Sequence, residues 1–189
     1  MIPSMGGTEI GPWLAHWASE VPSGHAIVEF GTWLGAGTVH LALGAKKSGA
    51  PIHCYDRFQA NAEQVAHAAT FDVSLREGES LLPHVIENVA PYSDDVSFHA
   101  QDLSFISWQH GPIGLYVDDA SKRKWPRAWA TFGKAFVAGV TRLVMMDYHF
   151  PSAKPQRDFF ADNDSIFELE HDKLGGSSAA VFRYLGRAA

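Results

Sequence analysis

Two acid-bearing strand ends and one glycine-bearing turn hold the residue types in this sequence that can do chemistry. Asp118 and Asp119 follow the β-rich run Ile113 to Val117, and Asp147, Tyr148 and His149 close a second run that starts at Thr141. If the runs are adjacent parallel strands, these groups share a rim, and Asp118, Asp147 and His149 become the candidate catalytic set. Two chemistries are open. The carboxylates, with water and with His149 as a third ligand, could hold Mg2+ or another divalent cation that acidifies an acceptor hydroxyl. Histidine is a poorer partner for magnesium than for zinc or manganese. Alternatively His149, with an ordinary pKa near about 6.5, is itself the general base.

The glycine-bearing turn is Glu29-Phe30-Gly31-Thr32-Trp33-Leu34-Gly35-Ala36-Gly37-Thr38, directly after the run Ala26 to Phe30. Glycine permits positive φ and close approach of a ligand to the backbone. A following helix N-terminus would suit a carboxylate. The spacing differs from the G-x-G-x-x-G dinucleotide fingerprint. Nineteen residues beyond Gly37, Asp56 ends the run PIHCYD, where an acid can accept from both hydroxyls of a ribose. Asp102 follows VSFHA and could receive an adenine amine, with Leu103 or Phe105 as an apolar wall.

These positions require a particular order of elements. A helical face of Ile10, Trp13, Leu14, Trp17 and Ala18 opens the chain. Strands are predicted at 26–30, 51–56, 96–100, 113–117 and 141–147, alternating with helices at 38–47, within 58–69, at 81–89 and at 125–136. SIFELEHD and AAVFRYL flank Gly175-Gly176 with no helix between them, which reads as a hairpin. The expected fold is a Rossmann-like, doubly wound α/β sheet of seven strands, mostly parallel, with the C-terminal hairpin adding an antiparallel strand at one edge. One domain is expected over 1–189, with 1–24 as an N-terminal helical cap and 57–80 as an insertion covering a pocket.

Composition narrows the partners. With 46% hydrophobic and 19% charged residues, the 189-residue chain can bury a core. A formal charge of −6 and no basic run longer than Ser121-Lys122-Arg123-Lys124 disfavour a nucleic-acid substrate, and that run reads as solvated charge. No apolar stretch approaches the roughly 18 residues of a membrane span, and the start lacks a secretory pattern, so a cytoplasmic protein without membrane partners is expected. Cys54 lies in an apolar run and reads as a small buried hydrophobe. The tryptophans at helical spacing suit a core or the pairing of two copies, whereas Trp33 sits within the glycine turn.

Taken together, EFGTWLGAG from Glu29 to Gly37, Asp56, Gln101-Asp102 and the closing hairpin resemble the class I S-adenosylmethionine-dependent methyltransferases, whose first motif is acid-x-Gly-x-x-x-Gly-x-Gly. The resemblance spans roughly Ala26 to Leu185. It implies S-adenosylmethionine as cofactor, with Glu29 and the loop near Gly31 and Gly35 facing its methionine part, Asp56 its ribose and Asp102 its adenine. Thr32, Trp33, Gly37, Thr38 and Asp118 join the implied cofactor contacts. The acids at the fourth and fifth strand ends look like those of metal-dependent O-methyltransferases of the catechol and macrocin types, matching at Asp118 and Asp147 and departing at Tyr148. The reaction implied is O-methylation of a small-molecule hydroxyl. The rival readings are a cofactor-binding regulatory protein without an acceptor pocket, and a nucleotide-dependent oxidoreductase.

Overall fold

The computed structural model describes residues 2–4, 8–93 and 95–186. Parts of the expected segments 1–24 and 1–189, namely residues 1, 5–7, 94 and 187–189, lie outside the described residues. Seven strands form one sheet: β1 (Ala26–Phe30), β2 (Ile52–Asp56), β3 (Val96–Ala100), β4 (Ile113–Asp118), β5 (Arg142–Met145), β6 (Phe167–His171) and β7 (Ala180–Tyr184), in the order β3-β2-β1-β4-β5-β7-β6. β1 to β5 are mutually parallel, and β7 runs antiparallel to both β5 and β6. The antiparallel strand is therefore one place in from the edge, because β6 folds outside β7.

β1 is buried along its whole length, as expected of a central parallel strand covered on both faces. On one face Ile27, Ile52, Leu115 and Val144 pack under the first two helices, α1 (Gly11–Ser19) and α2 (Ala36–Ser48). On the other, Val28, Tyr116, Leu143 and Phe182 pack under α5 (Trp125–Phe132) and α6 (Lys154–Asp162). A third cluster seats α3 (Ala62–Ala69) and α4 (Leu82–Val89) through Ala68, Leu81, Val85 and Val89. Helix α6 has no counterpart in the sequence reading. Pro155 is tolerated in its first turn, and only Gln156 and Phe160 are buried, so its apolar stripe is too thin to announce it.

Strand order reverses between β1 and β4, and a doubly wound sheet opens its ligand crevice at such a point. Phe30 registers with Tyr55 and with Asp118, so the carboxyl ends of β1, β2 and β4 form a level rim. Among the described residues no helix is long and apolar enough to cross a membrane.

Candidate active site

A cavity of ≈ 630 Å³ opens on this rim, lined among others by Gly31, Trp33, Asp56, Asp102, Asp119 and Lys122. A narrow recess of ≈ 60 Å³ adjoins it beneath the glycine turn, lined by Glu29, Thr32 and Gly37. Gly31, Trp33 and Asp119 line both.

The glycines serve different ends. Gly31 has φ +96°, and a Cβ there would stand 3.0 Å from the Ala120 Cβ, so this residue lets the turn close against the β4 loop. Gly35 does not face the crevice, which corrects the expectation for it: its amide donates to Thr32 O at 2.9 Å and its Cα packs toward Val85 and Val89 of α4. A Cβ on Gly37 would lie 2.6 Å from Glu29 Oε1. Ala36 and Gly37 begin α2 and line the recess, which therefore meets the free amides of a helix N-terminus.

Glu29 is buried, and its Oε2 accepts from Thr38 Oγ1 at 2.5 Å and from Cys54 Sγ at 3.3 Å. Burial pushes this carboxyl up to about 7, against the pull of the Thr38 and Cys54 bonds. Thr38 thus acts through Glu29 and does not line the recess. Burial also raises the Cys54 thiol well above its ordinary value, consistent with an inert packing role. Trp33 holds φ 47°, lines both cavities and carries a buried indole N–H with no partner among the described residues.

Asp56 lines the larger cavity, but its carboxylate is mostly spent. Oδ2 accepts from the Thr32 and Trp33 amides at 2.9 and 3.2 Å, and Oδ1 from the Phe58 amide at 2.8 Å. Of about four lone-pair sites, one remains. A grip on two ribose hydroxyls is therefore not what this arrangement offers; the aspartate ties the glycine turn to β2. Asp102 caps the turn Leu103–Phe105 through the Ser104 amide, 2.9 Å away, and faces Lys124 Nζ at 3.4 Å. The Ser104 bonds, with help from Lys124, hold it down to about 2. It lines the cavity as a fixed negative charge.

At the β4–β5 rim the structure departs from the expected trio. Asp118 is fully buried and faces inward, accepting from Tyr116 Oη, Ser121 Oγ and the Ala120 and Ser121 amides. His149 Nε2 sits 2.6 Å from Asp172 Oδ1 and lines neither cavity. Asp118, Asp147 and His149 do not converge. Asp119, Lys122 and Asp147 do: Lys122 Nζ is 2.7 Å from Asp147 Oδ2 and 3.4 Å from Asp119 Oδ1. Lys122 is thus a crevice residue and not solvated charge. Ser178 Oγ braces Asp147 at 3.1 Å. Burial pushes Asp119 up to about 7, opposed by Lys122 and aided by Asp147. Burial disfavours the Lys122 charge, but the two acids outweigh it and hold its pKa above the ordinary value. The Asp118-Asp119 pair was visible in the sequence; which member faced the crevice was not.

No protein-family model matches this chain, and no curated protein matches it in sequence. Solved structures do match. The O-methyltransferase NovP aligns over 95% of this chain and 81% of its own, with TM-score 0.70 and 14% identity. An O-methyltransferase from Bacillus cereus in complex with SAH aligns over 95% and 82%, with TM-score 0.61 and 16% identity. An rRNA methylase from Streptococcus thermophilus aligns over 97% and 100%, with TM-score 0.54 and 10% identity. This is the class I methyltransferase fold. At these identities the likeness is one of fold, and the site must be judged on its own residues.

On that footing the crevice of this methyltransferase fold suits S-adenosylmethionine. The α2 N-terminus meets the recess, buried Glu29 stands beside it, and the Trp33 indole N–H is left over. A divalent cation at the rim does not fit. Asp118 has no free oxygen, His149 points away and Asp147 already holds an ammonium.

Proposed function

We propose that this chain binds S-adenosylmethionine in the crevice and methylates a hydroxyl of a small molecule, with Asp119 as general base and no cation at the β4–β5 rim. One observation carries the reading: Asp119 lines both the recess and the larger cavity, so a single carboxylate faces cofactor and acceptor together. When bound, the cofactor supplies an electrophilic methyl group on a sulfonium. The recess holds the amino-acid end at the α2 N-terminus beside Glu29, and the cavity between Asp56, Asn61, Gln101 and Asp102 holds the nucleoside. The acceptor enters from the Lys122, Phe150 and Ser152 side.

Methyl transfer from sulfonium to oxygen needs in-line alignment and a deprotonated acceptor. Asp119, poised at about 7, takes the hydroxyl proton on a carboxylate oxygen. Lys122 stays charged beside it and stabilises the developing alkoxide. A net charge of −6 favours small acceptors over nucleic acid, although an rRNA methylase shares the fold.

Calorimetric titration with S-adenosylhomocysteine tests the cofactor half. We expect saturable binding by the wild type, unchanged by Mg2+, weaker in Asp56→Ala, and no response to NAD. Binding of NAD with no response to S-adenosylhomocysteine would replace this reading with an oxidoreductase. Methyl transfer that requires Mg2+ would show that a cation, and not the Lys122 ammonium, stabilises the alkoxide.

A further inference from the structure

Away from the crevice, three imidazoles meet at the β2–β3 edge of the sheet. The register pairs His53 with Ser97 and Tyr55 with His99, so His53 and His99 are diagonal neighbours on one sheet face. His53 Nδ1 lies 3.2 Å from His99 Nε2. His110, from the segment leading into β4, stacks on His53 with ring centroids 4.2 Å apart. One nitrogen from each ring falls within 4.8 Å of the other two, the set being graded from buried His53 to exposed His110. Trp108 stands edge-on to His53 and donates its indole N–H to Gly111 O at 2.7 Å, which folds the segment over the cluster.

Among the described residues none of the three forms an ion pair with a carboxylate. Three imidazoles sharing a space repel one another when protonated. His53 Nδ1 and His99 Nε2 share an N–H···N hydrogen bond whose donor depends on the tautomer, and an ion that takes the place of that proton can be held by both rings. Metal ligation requires neutral imidazoles.

We propose that His53, His99 and His110 form a binding site for a transition-metal ion of the zinc class, which staples the 101–112 segment to the sheet edge. Zinc–nitrogen bonds of roughly 2.0–2.1 Å in a tetrahedral site put ligand nitrogens about 3.3 Å apart. The His53–His99 pair already has that separation, and the exposed His110 ring can turn to complete the set. An all-imidazole set suits Zn2+, Cu2+ or Ni2+ and disfavours Mg2+ and Ca2+. The fourth position is left for solvent. The stapled segment carries Gln101, Asp102 and Leu103 into the crevice wall, and crevice residue Tyr55 stacks on His99 with centroids 4.4 Å apart.

The test uses the untagged chain stripped with EDTA and titrated with Zn2+ against a chromophoric chelator, then with Co2+ for visible d–d absorption. We expect one equivalent with Kd on the order of 1 µM or tighter, four-coordinate Co2+ bands, and a Zn2+-dependent rise in Tm. His110→Ala removes an exposed ligand and should fold normally, which circular dichroism will verify. It should weaken Zn2+ by more than about 100-fold, since even outer-shell partners are worth roughly 10–100-fold. His16→Ala, on α1, should change nothing. No tight equivalent in the wild type, or one that survives His110→Ala, overturns the assignment. The readout is metal binding alone, so it stands or falls separately from methyl transfer.

Discussion

On the β1–β2 side of the crevice, the acids accept from backbone amides and buried side chains; on the β4–β5 side, Asp119 and Asp147 share the Lys122 cation. Asp56 accepts three backbone amides, Glu29 accepts from Thr38 and Cys54, and Asp102 caps the Leu103–Phe105 turn and is held at about 2. Across the crevice, Asp119 and Asp147 share one ammonium, Lys122, whose backbone sits at φ 29° while that of Asp147 sits at φ 53°. Amide donors pin a carboxylate in place and shape a binding surface. Burial pushes both Glu29 and Asp119 up to about 7, but of the two only Asp119 lines the larger cavity, beside an ammonium that can stabilise an anion. On the proposed function, the first side holds the ligand and the second reacts with it.

Breaking the reacting side should have the largest effect. Asp119→Asn should lower kcat by roughly 10²–10⁴-fold and leave S-adenosylhomocysteine affinity nearly unchanged, as kinetics beside calorimetry will show. In the wild type the base must be ionised, so with Asp119 at about 7 the rate should fall as pH drops through neutrality. At saturating cofactor that limb should vanish in Asp119→Asn, while a pH dependence of cofactor binding set by Glu29, also at about 7, should remain.

Breaking the holding side should look different. Asp56→Ala strands three amides, and at roughly 1.5–3 kcal/mol for a bond to a charged group, with incomplete additivity, it should cost about 2–4 kcal/mol. Thermal unfolding should fall by roughly 5–15 °C, together with weakened cofactor binding.

Lys122→Ala sharpens the contrast. Without the ammonium, Asp147 repels the Asp119 charge unopposed, so the rate limb should move to higher pH by about 1–3 units, and Lys122→Arg should restore most of it. The smallest effect belongs to His149→Ala, which loses a half-exposed pair with Asp172 and an edge contact with Tyr148. Denaturant unfolding should change by less than about 1 kcal/mol, and methyl transfer should be retained. A large kinetic loss there would return His149 to the reacting side.

The strands β1 and β3 were legible to the residue, because their β-rich runs are bounded by turn residues on both sides. The glycine turn was legible as a turn opening on the crevice, which Gly31, Trp33 and Gly37 line. The separate tasks of Gly35, packed on α4, and Gly37, beside Glu29, depend on neighbours far along the chain. Helix α6 was hidden by two prolines and a thin apolar stripe. The histidine cluster unites positions 53, 99 and 110, which nothing in local spacing connects.

By itself, the sequence determined the order of elements and the set of acids carried at strand ends, because periodicity and turn chemistry are local. The choice of Asp119 over Asp118 was made by tertiary structure. Asp118 turns inward to Tyr116 and Ser121, while the Asp119 amide is drawn to Phe30 O at 2.8 Å on the neighbouring strand. Successive side chains at a strand end point to opposite sides, so a one-residue difference that local patterning barely records decides which carboxylate meets the ligand.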